Sequence, residues 1–279
     1  MRILLHSPYN HFPNHRHEDD PEEPAIEMWN DGQIWHAFQE MPHGETALLI
    51  EPRPLQESTY NKLETCYDRF SRIYTHDSQL LAIAPNARPI YYWRDYEIYD
   101  EPKNKDFSMI CGQKQMCPLH IERMKLAEVI DDDVDVLGDW KGGERVTRHD
   151  AYAPYRFAVV IENHIDDYWF TEKLLNAFST RTIPIYFGAR KISKLFDIGG
   201  IFQVKNLWDI VPTIYDIQKA GPDRVYENRR AAIERNFQKV QNYRDFEDYF
   251  FQNYEKELTE LWIYQSSSQH TMRSHTLNT

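Results

Sequence analysis

The stretch from Phe157 to Gly188 constrains the fold of this chain more than any other part of it. Phe157-Ala-Val-Val-Ile is an apolar, β-branched run of the buried-strand type, and Ile183 to Phe187 is a second. Between them, Thr171 stands where it can cap a helix over 171–179. Strand, polar loop, helix and strand make a βαβ unit, which requires a parallel sheet covered by helices. The first connection carries Glu162, Asn163, Asp166, Asp167, Glu172 and Lys173. In open α/β sheets, ligands sit where such connections leave the carboxyl ends of the strands. A carboxylate beside an ammonium at a helix start suits a ligand that bears both hydroxyls and phosphates.

Similar alternation runs through most of the chain. Strands are expected at 2–5, 47–50, 72–75 and 89–92, with helices over 26–40, 59–71 and 78–83. Residues 94–106 are polar and hold a proline, which marks a linker. A second series follows, with strands at 107–111, 134–137, 157–161, 183–187 and 201–204. Helices are expected at 119–130, 171–179 and 190–196, then over 207–218, 222–240 and 244–263. The fold class is therefore α/β, with a first domain over 1–103 that includes linker residues and a second over 104–265. Two parallel, helix-covered sheets facing one another would leave a central cleft as the active site. The polar stretch 266–279 has no periodicity and reads as a disordered tail.

Charge narrows the partners. With 32 basic against 44 acidic residues the net charge is −12, which repels nucleic acid and anionic membranes. A phosphate site must then be a local basic pocket. The 3 cysteines, Cys66, Cys111 and Cys117, do not make a disulfide framework and read as reduced thiols of a cytoplasmic protein. The apolar part of Met1-Arg-Ile-Leu-Leu-His-Ser is too short for a signal peptide, and no run approaches the roughly 20 residues of a membrane span.

Three blocks of residues carry a family likeness. The first runs from Phe157 through Glu162-Asn163 and Thr171-Glu-Lys to Thr182-Ile-Pro-Ile-Tyr-Phe-Gly188. The second is Ser108-Met-Ile-Cys-Gly-Gln-Lys-Gln-Met with His120 and Arg123, followed by Val134-Asp-Val-Leu-Gly. The third is Leu49-Ile-Glu-Pro-Arg-Pro with Thr75-His-Asp and Pro85-Asn. On these motifs the chain resembles glycosyltransferase family 10, the alpha-1,3/1,4-fucosyltransferases and their bacterial and viral relatives. The resemblance implies a GT-B architecture, two Rossmann-like domains with the donor nucleotide on the second. It also implies transfer of fucose from GDP-fucose to a carbohydrate hydroxyl, inverting the anomeric carbon and using no metal or other cofactor. Carried over by position, Arg123 and Lys173 correspond to pyrophosphate ligands, Glu172 to the ribose ligand, and Asn163, Trp169 and Lys114 to further donor contacts. Glu51 sits where the family keeps its proposed general base. Trp169 replaces a usual tyrosine, Phe187 a common tryptophan and Gly112 a frequent serine, departures that bear on the sugar more than on the diphosphate.

Taken alone, Glu172-Lys173 reads as a solvated first turn, Arg123 as a surface helix residue and Glu51 as a strand-end surface glutamate; with the resemblance, their types suit that chemistry. Without a metal, charge developing on a leaving pyrophosphate must be met by fixed cations and N–H groups. Arg123 offers a planar fork, and Lys173 a point charge at a helix start that itself favours anions. Glu51 ends a strand before Pro52, so its side chain projects from the strand end, where a carboxylate can take a hydroxyl proton. Asp133-Val-Asp135 looks like a metal-gripping DxD, but it precedes or enters a strand instead of following one. His11, His15 and His17, backed by Glu18, Asp19 and Asp20, offer zinc-binding chemistry, although a solvated loop explains them better. In the expected fold that loop faces the cleft, so Tyr9, Asn10 and His11 are acceptor-side candidates. Trp29, Trp35, Trp93 and Tyr91-Tyr92 could stack on sugars, while core packing accounts for most of them. Two competing readings are a relative using another nucleotide sugar, such as GDP-mannose, and a degenerate fold that binds glycans or nucleotides without turnover.

Overall fold

Short parallel strands joined by helices build two α/β units, Met1–Tyr91 with Asp245–Thr279 and Tyr92–Arg244. The computed structural model describes residues 2–15, 25–40, 45–93 and 96–276. In the first unit β1 (Arg2–His6), β2 (Ala25–Asn30), β3 (Thr46–Leu49), β4 (Arg72–Thr75) and β5 (Ala87–Pro89) lie side by side in chain order, each pair parallel. Every crossover advances the same way, so right-handed connections place their helices on one face. On that face α1 (Ile34–Glu40), α2 (Glu57–Glu64) and α3 (Ser78–Ile83) bring Ile34, Tyr60, Leu63 and Leu80 onto Trp29, Ala47, Leu49 and Ile73.

The pleat sends alternate residues to the opposite face. There Tyr74 meets Phe250 and Tyr254 of α10 (Phe246–Thr276), with ring centroids 4.8 and 4.9 Å apart. Phe12 packs on Phe250 at 5.0 Å. Glu247, nearly inaccessible, accepts the Asn14 and His15 amides and sits 2.8 Å from His15 Nδ1. A parallel sheet needs cover on both faces, and the C-terminal helix supplies the second cover.

Domain limits differ from expectation accordingly. The last helix belongs with the first unit and not with 104–265. Helix α10 also continues to Thr276, so most of 266–279 is not an unstructured tail. Residues 246–276 contain neither glycine nor proline, and nothing in the backbone stops the helix. The expected linker at 94–106 largely belongs to the second unit. Lys103 Nζ donates to the carbonyls of Ala153 (2.7 Å) and Thr180 (2.6 Å) and to Thr182 Oγ1 (2.9 Å), and the Tyr99 amide reaches Ser179 O.

The helix expected over 26–40 is half strand. Ala25–Asn30 pairs with both β1 and β3, and only 34–40 is α-helical. Ile26 and Met28 alternate into the core, a period too short to stand out against the loosely helical spacing around it. Strand β5 also falls earlier than the expected 89–92, and the helix expected over 59–71 closes at Glu64.

In the second unit the sheet order is β10 (Phe202–Gln203), β9 (Ile183–Phe187), β8 (Tyr155–Ile161), β6 (Lys105–Ile110), β7 (Asp135–Leu137), all parallel. Helix α4 (Pro118–Ile130) joins β6 to β7, and α5 (Arg148–Tyr152) precedes β8. Helix α6 (Glu172–Ser179) joins β8 to β9. The chain moves outward from β6 to β7, then returns past β6 to β8, so the strand order reverses between β6 and β8. One face buries Phe107, Met109, Phe157, Val159, Ile183 and Ile185 against α4 and against α7 (Ile210–Ala220), α8 (Pro222–Glu227) and α9 (Arg230–Val240). The 222–240 helix thus comes as two. On the other face Ser108 Oγ donates to Ala151 O of α5 at 2.6 Å.

Candidate active site

At the reversal of strand order, a cavity of about 200 Å³ opens at the carboxyl ends of β6 and β8. Ile110, Tyr152 and Val160 form its apolar wall, and Arg123, Arg148, Glu172, Lys173 and Asn176 turn polar groups to it. Open α/β sheets bind ligands at such switch points.

Glu162, wholly buried, organises this corner. Its amide extends the β8–β9 ladder to Phe187 O (3.0 Å). Its carboxylate accepts the Thr171 amide (2.9 Å), the Thr171 hydroxyl (2.8 Å) and Lys173 Nζ (3.3 Å). Thr171 Oγ1 in turn accepts Lys173 Nζ (3.0 Å) and caps α6 through the Lys173 amide (3.4 Å). The loop between β8 and α6 is thereby folded back onto the residue that begins it. Gly188 is obligatory beside this carboxylate, because a Cβ would lie 2.3 Å from the Tyr186 hydroxyl and 2.7 Å from Glu162 Cγ.

A buried carboxylate is tolerated when it is paired and hydrogen-bonded. Lys173 is that partner, and its side chain is 27% exposed. Burial pulls its pKa down, but the charges of Glu162 and Glu172 outweigh burial and hold the ammonium above its usual range. Arg123 reaches the cavity from the second turn of α4, and its buried Nε makes no hydrogen bond. The Tyr152 phenol beside them is pushed up by burial and by the charges of Glu172 and Glu162.

His120 reports the field of the site. It is 6% exposed, and burial together with the charges of Arg123, Lys173 and Lys114 pulls its pKa down to about 4. Its Nδ1 faces the Met116 amide at 3.2 Å, so the neutral ring carries its proton on Nε2. By linkage the unfolded chain binds this proton first, so stability falls as pH drops from the ordinary 6.5 toward 4. An anion among the three cations cancels their repulsion. We therefore expect GDP or pyrophosphate to raise the His120 pKa, as read by an NMR histidine titration with and without ligand. An unmoved His120 resonance at saturation would place the anion elsewhere.

The other expected donor residues do not line the cavity. Trp169 is buried, and its Nε1 donates to Asn163 Oδ1 at 3.2 Å, while the Asn163 carbonyl takes the Cys117 thiol at 3.2 Å. Lys114 is exposed in the loop before α4. Arg148, Tyr152 and Asn176 escaped the sequence reading, because a lone arginine in a polar stretch and two residues inside helices carry no local signal.

Glu51, Tyr9, Asn10 and His11 belong to the first unit. Glu51 is half-buried just past β3, its amide donating to Asp31 Oδ1 (3.1 Å) and its carbonyl accepting Tyr60 OH (2.7 Å). Tyr9 and Asn10 are exposed, whereas His11 is buried, its Nε2 3.3 Å from both Ser7 Oγ and Asn30 Oδ1. His15 is committed to Glu247 and stacks on Phe251. His17, Glu18, Asp19 and Asp20 lie outside the described residues.

Asp135 starts β7 at the amino edge of the sheet, opposite the cavity, and accepts Tyr155 OH (2.7 Å) and Lys105 Nζ (3.3 Å). Asp133 accepts Gln218 Nε2. Trp29 and Trp93 are core residues, and Trp35, 39% exposed, donates to Thr59 Oγ1. Cys66, Cys111 and Cys117 are buried free thiols.

Residues 102–204 match the model of glycosyltransferase family 10 (fucosyltransferase), C-terminal domain. A solved alpha1,3-fucosyltransferase with GDP superposes with a TM-score of 0.53 at 13% identity, covering 89% of this chain and 79% of that one. A second alpha1,3-fucosyltransferase structure gives a TM-score of 0.49 at 14% identity, over 77% of this chain and 72% of that one. No curated protein matches the sequence. The two parallel α/β units have the GT-B fold class of the first of these structures. The family resemblance of this chain is to glycosyltransferase family 10, the fucosyltransferases, and residues 102–204 carry it.

Proposed function

We propose that this protein is an inverting fucosyltransferase that moves fucose from GDP-fucose to a carbohydrate hydroxyl without a metal cofactor. The observation that carries the reading is that Arg123 and Lys173 line one cavity at the strand-order switch point, where their charges, with that of Lys114 and burial, favour a neutral His120. In a chain of net charge −12, such a cationic corner is a local site for an anion. The fold relative with bound GDP supports guanosine diphosphate as that anion.

In the proposed reaction the acceptor oxygen forms a bond to the anomeric carbon as the bond from that carbon to the β-phosphate oxygen breaks. The bonding pair leaves with GDP, and Arg123 and Lys173 stabilise its charge. Glu172 is the ribose ligand, and Glu51 takes the acceptor proton. Fixed cations meet the leaving-group charge, so no divalent ion is needed in this scheme. Acceptor contacts fall to Tyr9 and Asn10, while His11 acts from beneath the loop surface. A cytoplasmic location belongs to the same proposal, supported by the three buried thiols.

A thermal-shift comparison of GDP with UDP, CDP and dTDP tests the donor. Binding to the native state alone stabilises by about 2.7 kcal/mol at a hundredfold excess over Kd. GDP is expected to give that shift and UDP none at equal concentration; the reverse order would sink the donor assignment. Turnover with GDP-fucose against GDP-mannose then separates the two sugars.

A further inference from the structure

A buried polar network in the first unit converges on the residue just before its glycine-marked turn. Asp31 is 7% exposed and holds a φ of 45°, in the left-handed region that few residues other than glycine adopt. Its Oδ1 accepts the amides of Ile50 (2.9 Å) and Glu51 (3.1 Å), and its Oδ2 accepts Asn30 Nδ2 (3.0 Å). Asn30 Nδ2 is shared with Leu48 O (3.1 Å), and Asn30 Oδ1 accepts the Ser7 hydroxyl (2.9 Å). Ser7 Oγ and Asn30 Oδ1 both face His11 Nε2 at 3.3 Å. On the far side of Glu51, its carbonyl accepts Tyr60 OH (2.7 Å) and faces His76 Nε2 at 3.3 Å.

The arrangement is costly for a purely structural one. Burial raises the Asp31 carboxyl to about 7; the Glu51, Ile50 and Asn30 hydrogen bonds oppose that rise, and the Glu51 charge adds to it. The titratable groups around it are Glu51, His11, Tyr60 and His76, and the Tyr60 phenol is itself raised by burial and by the Asp31 charge. An aspartate raised this far disfavours the folded state once ionised. Strained backbone and unfavourable burial persist at sites where they serve function.

We propose that Asp31 is the positioning residue for Glu51, clamping the Ile50–Glu51 amides at the end of β3 and tying them through Asn30 and Ser7 to the loop of Tyr9, Asn10 and His11. The inference rests on Glu51 acting as the base. Accepting both amides, the ionised carboxylate fixes the backbone from which the Glu51 side chain projects, while Tyr60 fixes the carbonyl side. Protonation weakens the clamp, because a proton on Oδ2 would oppose the Asn30 N–H. Turnover should therefore rise as pH increases through about 7. Stability should move the other way: a raised folded pKa contributes stability below the ordinary 3.8 that is lost as pH rises to about 7. Turnover up and stability down over one pH window is a pair of trends that a structural aspartate would not produce.

The test is Asp31→Asn alone and combined with Glu51→Gln, with turnover and unfolding both measured as functions of pH. Asp31→Asn should lower kcat about 10- to 100-fold, as displaced catalytic groups do, with acceptor KM and GDP affinity little changed. The rise of turnover near pH 7 should flatten, and so should the opposing slope in stability. In the Glu51→Gln background the substitution should cost nothing further, because Asp31 acts only through Glu51. An Asp31→Asn enzyme with wild-type kcat, or one that slows Glu51→Gln as much as it slows wild type, overturns the proposal. If Glu51→Gln itself keeps its activity, the base assignment has failed, and the positioning role falls with it. Should Asp31→Asn not fold, Ser7→Ala breaks the network one link away and should give a smaller loss of the same kind. Should wild type show no transfer at all, faster amide exchange at Ile50 and Glu51 in Asp31→Asn still judges the clamp, and unchanged exchange rejects it.

Discussion

Glu51→Gln should transfer sugar about 10²–10⁴-fold more slowly than wild type, the range a positioned general base contributes, while its affinity for GDP stays the same. Glutamine keeps the size and polarity of the side chain but takes no proton at neutral pH. The backbone hydrogen bonds that hold residue 51, to Asp31 and from Tyr60, do not involve the substituted carboxylate, so the fold around it should persist. GDP affinity should persist because Arg123, Glu172 and Lys173 belong to the second unit. The measurement is steady-state turnover in EDTA-containing buffer, with calorimetry for GDP. A variant retaining more than about a third of wild-type turnover lies far above that range and removes Glu51 from the mechanism. The acidic cluster Glu18, Asp19 and Asp20 would then be the next place to look.

Lys173→Ala is expected to weaken GDP binding by about 1.5–3 kcal/mol, the value of a lost charge-assisted hydrogen bond, and to slow turnover further. The further loss arises because negative charge on the leaving diphosphate grows along the reaction coordinate. This substitution also touches the scaffold. It strips the buried Glu162 of its counter-charge, which by itself can cost about 3–5 kcal/mol when a buried pair is broken. The cost here should fall below that range, since Lys173 is 27% exposed and Glu162 keeps its two bonds from Thr171. Unfolding and GDP titrations on the same preparation separate the two effects. Wild-type GDP affinity in a folded variant would leave Lys173 a scaffold residue only.

Most strands and the site helix were legible because each carries its own local signal. β9 at Ile183–Phe187 and α3 at Ser78–Ile83 match their expected limits, and α6 begins beside its capping threonine as expected. Apolar runs bounded by turn residues need no distant partner to be recognised. Strand β2 was not legible, since six residues of mixed character become a strand only when β1 and β3 supply hydrogen bonds on both sides. The division of the chain was also hidden. Its last helix shows its helicity in sequence, but the sheet face left open by one-handed crossovers is a property of the assembled unit.

In the candidate site the order of residues along the chain already showed which types could meet an anion, Arg123 and Lys173, with Glu172 beside them for hydroxyls, all placed after strand ends. It could not show the roles of Glu162 and Asp31. Nothing about Glu162 in the string tells that it is wholly buried and accepts from Thr171 and Lys173, because that depends on how the loop from 162 to 171 closes. Asn30-Asp31-Gly32 falls within the helix expected over 26–40, interrupted only by its glycine. Only the packed sheet brings the end of β3 against it and excludes water from the carboxylate. Spacing along the chain decides which groups leave the same end of a sheet; hydrogen-bond partners, burial and charge state depend on residues far apart in sequence, and those the tertiary structure alone decides.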